Sequence, residues 1–584
     1  MFYELKQNSF GNKFNLKRVL VTDCGSTTTK ALLFEKTKDG WRKTFRGESP
    51  TTVEKPVEDV TVGAINAFKE LEEVSGLSIL EASERCPLKK GSPTDKNNID
   101  CYLSTSSAGG GLQMAVMGAV KKLSANVAER AALGAGAIVL DTFSFDDGRE
   151  DFEKVEKLRY IKPDMVLLSG GTEGGSKLHA MVLAEILVSA SPAPRFGNTL
   201  KLPVIYAGNS KIKSEIIEVL QNSFEVTTAR NLYPEIGKED ISESRDIIHE
   251  LFLTHVMSHS PGYDKLLSWA DSAILPTPSA VGNCILSYAK ETNKNIICVD
   301  IGGATTDVFS VVFNNESPNF HRSVSANFGM SYSIGNVLQE AGVANIKRWL
   351  SFDITDNEIK NRIFNKMCRP TSIPQTEDDL NLEQAVCREA LKLSTVHHFS
   401  LLPDKNISGP RTISAIFSQN DEVSKYKMLP IDIVVGSGGV LSHAPKRIQS
   451  AHMMIDGLGL VGITEITVDS IFMLPHIGAF AELHPAGAKE ILENDCLIKV
   501  CHHIRPIFGK KLSGIIGSID IKGKGNFDLE YNKVCQIELS PDESYEITCY
   551  GKNLNFGSGF SVQHKKTIIA NLEGVIIDGR ELIC

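Results

Sequence analysis

Two segments of the chain combine an aspartate with glycines and hydroxyl side chains between apolar runs. In the first, RVLVTDCGSTTTKALLFEK, Asp23 is followed by Gly25, Ser26, Thr27, Thr28 and Lys30. In the second, NIICVDIGGATTDVFSVV, Asp300 lies 277 residues further along and is followed by Gly302, Gly303, Thr305, Thr306 and Asp307. Glycines let backbone amides approach a phosphate, hydroxyls add donors, and an aspartate can hold Mg²⁺ through water. The two segments therefore predict paired phosphate-binding hairpins that clamp one nucleoside triphosphate between two domains.

Each turn is flanked by predicted strands on both sides, with no helix after it. This excludes the Walker loop and the Rossmann fingerprint, because both lead into a helix. A third segment, IDIVVGSGGVLSH, runs an apolar strand into a turn that contains Gly436, Gly438 and Gly439. A tight strand-to-helix connection also uses glycines, so this segment alone decides nothing. In this order the three segments resemble the actin, sugar kinase and heat-shock ATPase superfamily, in which the third loop lies against adenosine.

Length and composition limit the class of protein. The chain has 584 residues, which predicts three or four domains. Its net charge of −9 argues against nucleic acid as a partner, because phosphate backbones need a basic surface. No signal peptide or membrane span is visible, so we expect a cytoplasmic protein without a membrane partner. The 12 cysteines show no zinc-type spacing, and we expect reduced thiols.

The alternation of apolar runs and turn residues predicts an α/β fold. We expect two actin-like (ribonuclease H-like) domains around a nucleotide cleft, with an inserted α/β layer and a small C-terminal all-β domain. The predicted boundaries are 1–104 for the N-terminal part of the first actin-like domain, 105–290 for the inserted α/β region, 291–484 for the second actin-like domain and 485–584 for the C-terminal β-rich domain.

Longer motifs resemble the MutL/GlmL family associated with adenosylcobalamin-dependent glutamate mutase. The resemblance runs in order along nearly the whole chain, through residues 49–63, 104–111, 129–136, 162–175, 231–236, 275–278, 300–308, 435–445 and 572–582. This family shares no function with the DNA mismatch-repair protein of the same name. One departure occurs at residues 327–331, which read NFGMS where the family pattern is an acidic residue, Leu-Gly-Met and Arg.

The resemblance implies an accessory protein and not the mutase itself. Factors similar to this chain are thought to use ATP, in a chaperone-like manner, to loosen a mutase so that damaged cobalamin leaves and intact adenosylcobalamin enters. The expected client is glutamate (methylaspartate) mutase, with ornithine or lysine aminomutases as alternatives. Consistent with an accessory role, the chain has no D-x-H-x-x-G cobalamin motif.

The residue roles implied by phosphoryl-transfer chemistry are as follows. The predicted catalytic residues are Asp23, Asp300 and Asp307. Of these, Asp23 and Asp300 orient Mg²⁺ through water, and Asp307 is the second acid of its loop. One side of the phosphates is held by Gly25, Ser26, Thr27, Thr28 and Lys30, and the other by Gly302, Gly303, Thr305 and Thr306. The adenine and ribose pack on Gly436, Gly438 and Gly439.

Three rival functions use the same fold. A small-molecule kinase and a hydantoinase- or carboxylase-type ATP-dependent enzyme both have similar phosphate loops. An actin-like filament protein is the third. Substrate-dependent ATP use would favour either enzyme, and polymer that sediments with ATP would favour the filament.

Overall fold

The computed structural model describes residues 16–581 apart from 26–27, 54–56, 83–85, 92–94, 96, 108–111, 195–200, 236–237, 253–254, 256–260, 315–316, 326, 403–430 and 510–512. The chain divides into two compact units. Unit 1 consists of Met1–Ser287 and Leu474–Asp495, and unit 2 consists of Tyr288–Met473 and Cys496–Cys584. This division is coarser than the four predicted domains, whose boundaries stay a prediction.

The strands fall into one group in each unit. Those of unit 1 are β1 (Arg18–Cys24), β2 (Thr28–Thr37), β3 (Gly40–Pro50), β4 (Cys101–Ser106), β5 (Gln113–Gly118), β6 (Ile138–Ser144), β7 (Met165–Ser169), β8 (Pro203–Tyr206), β9 (Glu225–Thr228) and β10 (Leu275–Pro276). Those of unit 2 are β11 (Ile296–Ile301), β12 (Thr306–Asn314), β13 (Ser317–Ser325), β14 (Ile433–Ser437), β15 (Gly462–Asp469), β16 (Leu497–Arg505), β17 (Ile507–Phe508), β18 (Ile515–Ile521), β19 (Gly525–Glu530), β20 (Val534–Ile537), β21 (Ser544–Tyr550), β22 (Leu554–Asn555), β23 (His564–Ile569) and β24 (Val575–Asp578).

The helices connect these strands. In chain order they are α1 (Val60–Ser75), α2 (Asn126–Gly134), α3 (Asp151–Ile161), α4 (Leu178–Ala190), α5 (Lys213–Leu220), α6 (Ser242–Leu251), α7 (Tyr263–Trp269), α8 (Thr277–Thr292), α9 (Ile334–Ala341), α10 (Val343–Lys347), α11 (Asp356–Cys368), α12 (Glu377–Ser400), α13 (Gly439–Ser442), α14 (Arg447–Leu458), α15 (Leu474–Ala481) and α16 (Pro485–Ile491). Short π- or 3₁₀-helical turns lie at Lys121–Ala125, Ser210–Ile212 and Leu492–Cys496. None of the helices in the described ranges has the length and apolar character needed to cross a membrane.

The first sheet of unit 1 has the strand order β3-β2-β1-β4-β10. Strand β2 is antiparallel to both of its neighbours, whereas β1, β4 and β10 are parallel. The predicted hairpin turn between β2 and β3 is present, and Gly40 adopts the positive φ of 101° that favours glycine there. Helix α1 follows β3 and buries Val60, Ala64 and Phe68 in the core of this unit. This strand order is the ribonuclease H-like core of an actin-like domain.

Helices α15 and α16 return to this sheet after most of unit 2. The ring of Phe480 lies 5.6 Å from that of Phe34 and 4.9 Å from that of Trp41, measured between centroids. The backbone N–H of Trp41 donates to a carboxylate oxygen of Glu490 at 2.6 Å. The returning segment therefore completes the packing of β2 and β3, a long-range arrangement that the sequence did not indicate.

The inserted region forms a second sheet in unit 1, with the order β6-β5-β7-β8-β9 and every pair parallel. Helices α3, α4 and α5 bury Leu158, Leu187 and Leu220 with one face of the sheet. Helices α2 and α6 contribute to the cluster on the other face. Coverage of both faces explains why β5, β7 and β8 are almost wholly apolar and buried. The predicted α/β insertion is thus confirmed as a doubly wound sheet of the 2-1-3-4-5 order.

Unit 2 repeats the topology of the first sheet. Strands β13-β12-β11-β14-β15 have the same order and directions, and β16, β24 and β20 extend the sheet to eight strands. The C-terminal region is strand-rich, as predicted, with an antiparallel sheet β19-β18-β21-β23 and a small pair β17-β22. Its strands β16, β20 and β24 join the eight-stranded sheet because His502–Ile504 pair with Val575–Ile577.

Candidate nucleotide site

The two predicted phosphate hairpins adopt the same local structure. In β1–β2 the N–H of Gly25 donates to the carbonyl of Thr28 at 3.1 Å, and in β11–β12 the N–H of Gly302 donates to that of Thr305 at 2.9 Å. The first hairpin pairs Asp23 with Lys30 across the strands. The second pairs Asp300 with Asp307. Ser26 and Thr27, which follow Gly25 in the sequence, lie outside the described residues.

Asp23 is oriented by two threonines from distant parts of the chain. Its Oδ1 accepts hydrogen bonds from Oγ1 of Thr105 at 2.7 Å and from Oγ1 of Thr277 at 2.6 Å. The two hydrogen bonds fix the orientation of this carboxylate. Thr277 belongs to the Leu-Pro-Thr-Pro motif, and its role was not predicted because the contact spans 254 residues. The arrangement fits a carboxylate that holds hydrated Mg²⁺.

A buried histidine adjoins the same hairpin. His476, on α15, donates from Nε2 to the backbone carbonyl of Lys30 at 3.3 Å. Burial lowers the pKa of His476 to about 4, against the opposing influence of the Asp23 carboxylate. The imidazole is therefore neutral at pH 7, and it ties α15 to the strand that carries Lys30. Nothing in the spacing of the sequence pointed to this residue.

In the second hairpin, the side chains of two predicted site residues form hydrogen bonds with nearby residues of the same unit. The Nε and Nη2 atoms of Arg322 donate to Oδ1 of Asp307 at 2.9 and 2.6 Å. The hydroxyl of Thr306 is buried and donates to the carbonyl of Phe328 at 2.5 Å. Through these hydrogen bonds, both residues stabilise the conformation of the turn. Their predicted roles in catalysis and phosphate binding stay predictions.

The NFGMS segment lies directly behind the second turn. The N–H groups of Met330 and Ser331 donate to the carbonyls of Gly302 and Gly303, both at 2.9 Å. The hydroxyl of Ser333 donates to the carbonyl of Ala304. Three successive backbone carbonyls of the turn, those of residues 302–304, therefore accept hydrogen bonds from residues 330–333. The departure from the family pattern thus occurs at a segment that holds the backbone of the phosphate turn.

The glycines of the third segment have three different surroundings. A Cβ on Gly438 would lie only 2.8 Å from the carbonyl carbon of Ile301, and Gly438 has a φ of 101°. A Cβ on Gly436 would lie 2.5 Å from the sulfur of Met454, in the core. A Cβ on Gly439 would meet nothing within 4 Å. Packing therefore explains two of the glycines, and Gly439 is the one with open space beside it.

A cavity of about 770 Å³ in unit 2 brings part of the predicted site together. Gly302, Gly303 and Gly439 are all in its wall. The remaining wall includes residues that were not predicted, namely Lys366, Glu383, Gln384, His443, Lys446 and Gln449. Burial raises the pKa of Glu383, partly offset by Lys366, whose Nζ lies 3.3 Å from the Glu383 carboxylate. Lys366, Glu383, Gln384 and Gln449 lie on helices, and His443 and Lys446 lie in the connection between α13 and α14. No local sequence signal marks any of them.

Comparison with known proteins gives a consistent family assignment. A family model described as "MutL protein" matches residues 19–496. The chain is 29% identical over 505 residues to Protein MutL from Clostridium tetanomorphum, which spans 82% of this chain and 99% of that protein.

Several solved structures share weak similarity with the chain. Nucleotide-free acetone carboxylase is 12% identical, with 80% of this chain and 70% of that one covered and a TM-score of 0.31. Gluconate kinase from Lactobacillus acidophilus is 11% identical, with 82% and 92% covered and a TM-score of 0.30. Component A of (R)-2-hydroxyglutaryl-CoA dehydratase from Acidaminococcus fermentans is 10% identical, with 82% and 98% covered and a TM-score of 0.27.

The actin-like fold is identified by the strand order that both units share. The family match covers most of the chain and both phosphate hairpins. The chain belongs to the MutL protein family.

Proposed function

We propose that this protein is an ATP-dependent accessory factor that remodels an adenosylcobalamin-dependent mutase, with glutamate mutase as the client. The observation that carries the proposal is the recurrence of one turn geometry, with the same Gly N–H to Thr carbonyl bond, in both units. The cavity lined by Gly302, Gly303 and Gly439 supplies a volume within the usual range of about 300–1,000 Å³ for ligand sites. Family membership supports the accessory role.

In this proposal Asp23 and Asp300 hold Mg²⁺ through water, and the ion offsets phosphate charge. The two threonine donors on Oδ1 fix the orientation of the Asp23 carboxylate. His476 is neutral and hydrogen-bonded, so it stabilises the hairpin without adding charge beside the phosphates.

The phosphates would be held mainly by backbone amides. Gly25, Ser26, Thr27, Thr28 and Lys30 would contact them on one side, and Gly302, Gly303, Thr305 and Thr306 on the other. The carbonyls of residues 302–304 are already bonded to the segment behind the turn. This arrangement fixes the peptide planes before the ligand arrives, which reduces the reorganisation needed for binding. Asp307, held by Arg322, would keep the second hairpin in register.

ATP hydrolysis would drive a conformational change that loosens the client mutase, so that damaged cobalamin is exchanged for adenosylcobalamin. The inserted doubly wound region contains none of the residues proposed to bind ATP, and we propose that it transmits this change to the client. Exposed Phe152 and Tyr160 on α3 provide apolar surface there for a protein partner.

The test uses glutamate mutase inactivated with cyanocobalamin. The full-length protein is added with ATP, Mg²⁺ and fresh adenosylcobalamin, and mutase activity is followed. We expect recovery that is lost with a non-hydrolysable ATP analogue. ATP hydrolysis without recovery would contradict the proposed client, and hydrolysis that requires a sugar or another small acceptor would identify an enzyme instead.

A further inference from the structure

One polar side chain in the wall of the unit 2 cavity has unused hydrogen-bonding capacity. Gln384 lies on α12 and is only 5% exposed. Its Nε2 has no hydrogen-bond partner among the residues that the structure describes. A buried amide that gives up its water without gaining a partner lowers the stability of the folded state. Its presence in a cavity wall therefore points to a ligand that supplies the missing partner.

Neighbouring polar side chains in the same wall are already engaged. The carboxylate of Glu383 faces Lys366 at 3.3 Å. The Nε2 of Gln375 donates to the carbonyl of Ile373 at 3.0 Å, and Oε1 of Gln449 accepts from the N–H of Lys446 at 3.0 Å. Gln384 thus differs from these three in having a buried donor still to be satisfied.

We propose that Gln384 hydrogen-bonds the base of the bound nucleotide and selects adenine over guanine. This inference rests on the proposed ATP-binding function. A glutamine amide matches the N6/N7 edge of adenine, because its N–H₂ donates to N7 while its oxygen accepts from the exocyclic amino group. Guanine presents a carbonyl oxygen in place of that amino group. On this edge guanine has two acceptors, N7 and O6, so in either orientation of the amide its oxygen faces an acceptor and the buried pair is mismatched.

The position of Gln384 relative to the phosphate turn supports this assignment. The cavity that contains Gln384 also has Gly302 and Gly303 in its wall. A nucleotide whose phosphates lie on those turn amides would extend its base into the same cavity. Gly439, which has open space beside it, belongs to this wall as well and leaves room for the ribose or the base.

The experiment measures the Kd of ATP and of GTP by titration calorimetry for the full-length protein and for two variants, Gln384→Met and Gln384→Glu. Gln384→Met keeps the length of the side chain and removes both polar groups. Gln384→Glu keeps the shape and removes the donor. Gln339→Met, an exposed glutamine on α9 outside the cavity, is the matched control.

We expect the unmodified protein to prefer ATP by about tenfold or more, as a bidentate amide–adenine contact implies. Both Gln384 variants should lose most of that preference through weaker ATP binding, while the control keeps it. The melting temperature of ligand-free Gln384→Met should be unchanged or higher, because an unsatisfied buried amide has been removed. A folded Gln384→Met that keeps the preference, or an unmodified protein that binds both nucleotides equally, overturns the inference and leaves ATP binding intact. No binding of either nucleotide overturns the proposed function as well.

Discussion

Gly438 and Gly439 are adjacent, yet the structure predicts opposite effects for the same substitution. At Gly438 an alanine would have to adopt a φ of 101°, and its Cβ would lie 2.8 Å from the carbonyl carbon of Ile301 and 2.9 Å from its nitrogen. A non-glycine residue held in such a conformation costs about 1–3 kcal/mol. The steric overlap adds about 1–3 kcal/mol, because the obstacle is backbone and cannot rotate away.

Gly438→Ala should therefore destabilise the protein by about 4 kcal/mol, which lowers the melting temperature by roughly 8–16 °C for a unit of this size. At Gly439 a Cβ meets nothing within 4 Å, so Gly439→Ala should fold with unchanged or slightly higher stability. Because Gly439 lines the cavity, that variant should bind ATP more weakly. Thermal unfolding of both variants, followed by ATP titration of Gly439→Ala, tests the pair. A Gly438→Ala protein that melts within 2 °C of the unmodified one would refute the packing argument.

Three further predictions concern the metal, its ligands and pH. Asp300→Ala should remain folded by circular dichroism and lose at least tenfold in ATP hydrolysis, about 1.4 kcal/mol of transition-state stabilisation, so unchanged turnover would exclude the metal role. Thr277→Val removes one hydrogen-bond donor from Asp23, so the Mg²⁺ concentration needed for half-maximal ATP hydrolysis should rise about fivefold. The control is Thr292→Val, at the other end of α8, which should leave this Mg²⁺ concentration unchanged. Burial lowers the pKa of His398 to about 3. The unfolded state therefore takes up a proton first as pH falls, so the free energy of unfolding should decrease between pH 6.5 and about 3, and urea titrations should show a shallower decrease for His398→Gln.

Much of the fold could be predicted because its determinants are local. The Asp-Gly hairpin turn before β3 and the two Asp-to-Thr turns are marked by residues adjacent in the chain, and the structure has all three. The insertion was predicted as α/β from alternating strands and helices. The order of its strands could not be derived from the sequence. The positions of apolar residues along the chain predict where strands form, but they do not specify which strands become neighbours in the sheet.

The candidate site was less accessible to sequence reasoning. Thr277 reaches Asp23 across 254 residues, and Gln384 resembles any other glutamine on an amphipathic helix. The hydroxyl of Thr306 donates to the carbonyl of Phe328, a contact that no local pattern indicates, and its role in phosphate binding stays a prediction. Residue types and spacing thus identified the turns, while the side chains that support them depend on tertiary packing.

The return of α15 and α16 to the first sheet has a consequence for how the protein is made. The ribosome releases the strands that carry Phe34 and Trp41 early, but their partners Phe480 and Glu490 emerge only after residues 288–473. At a synthesis rate of about 5–20 residues per second, that interval lasts roughly 10–40 s. During this time the apolar surface of the nascent first unit is open to other chains. We therefore expect newly made protein to depend on general chaperones during translation, and a chain truncated before residue 474 to aggregate rather than yield a soluble first unit.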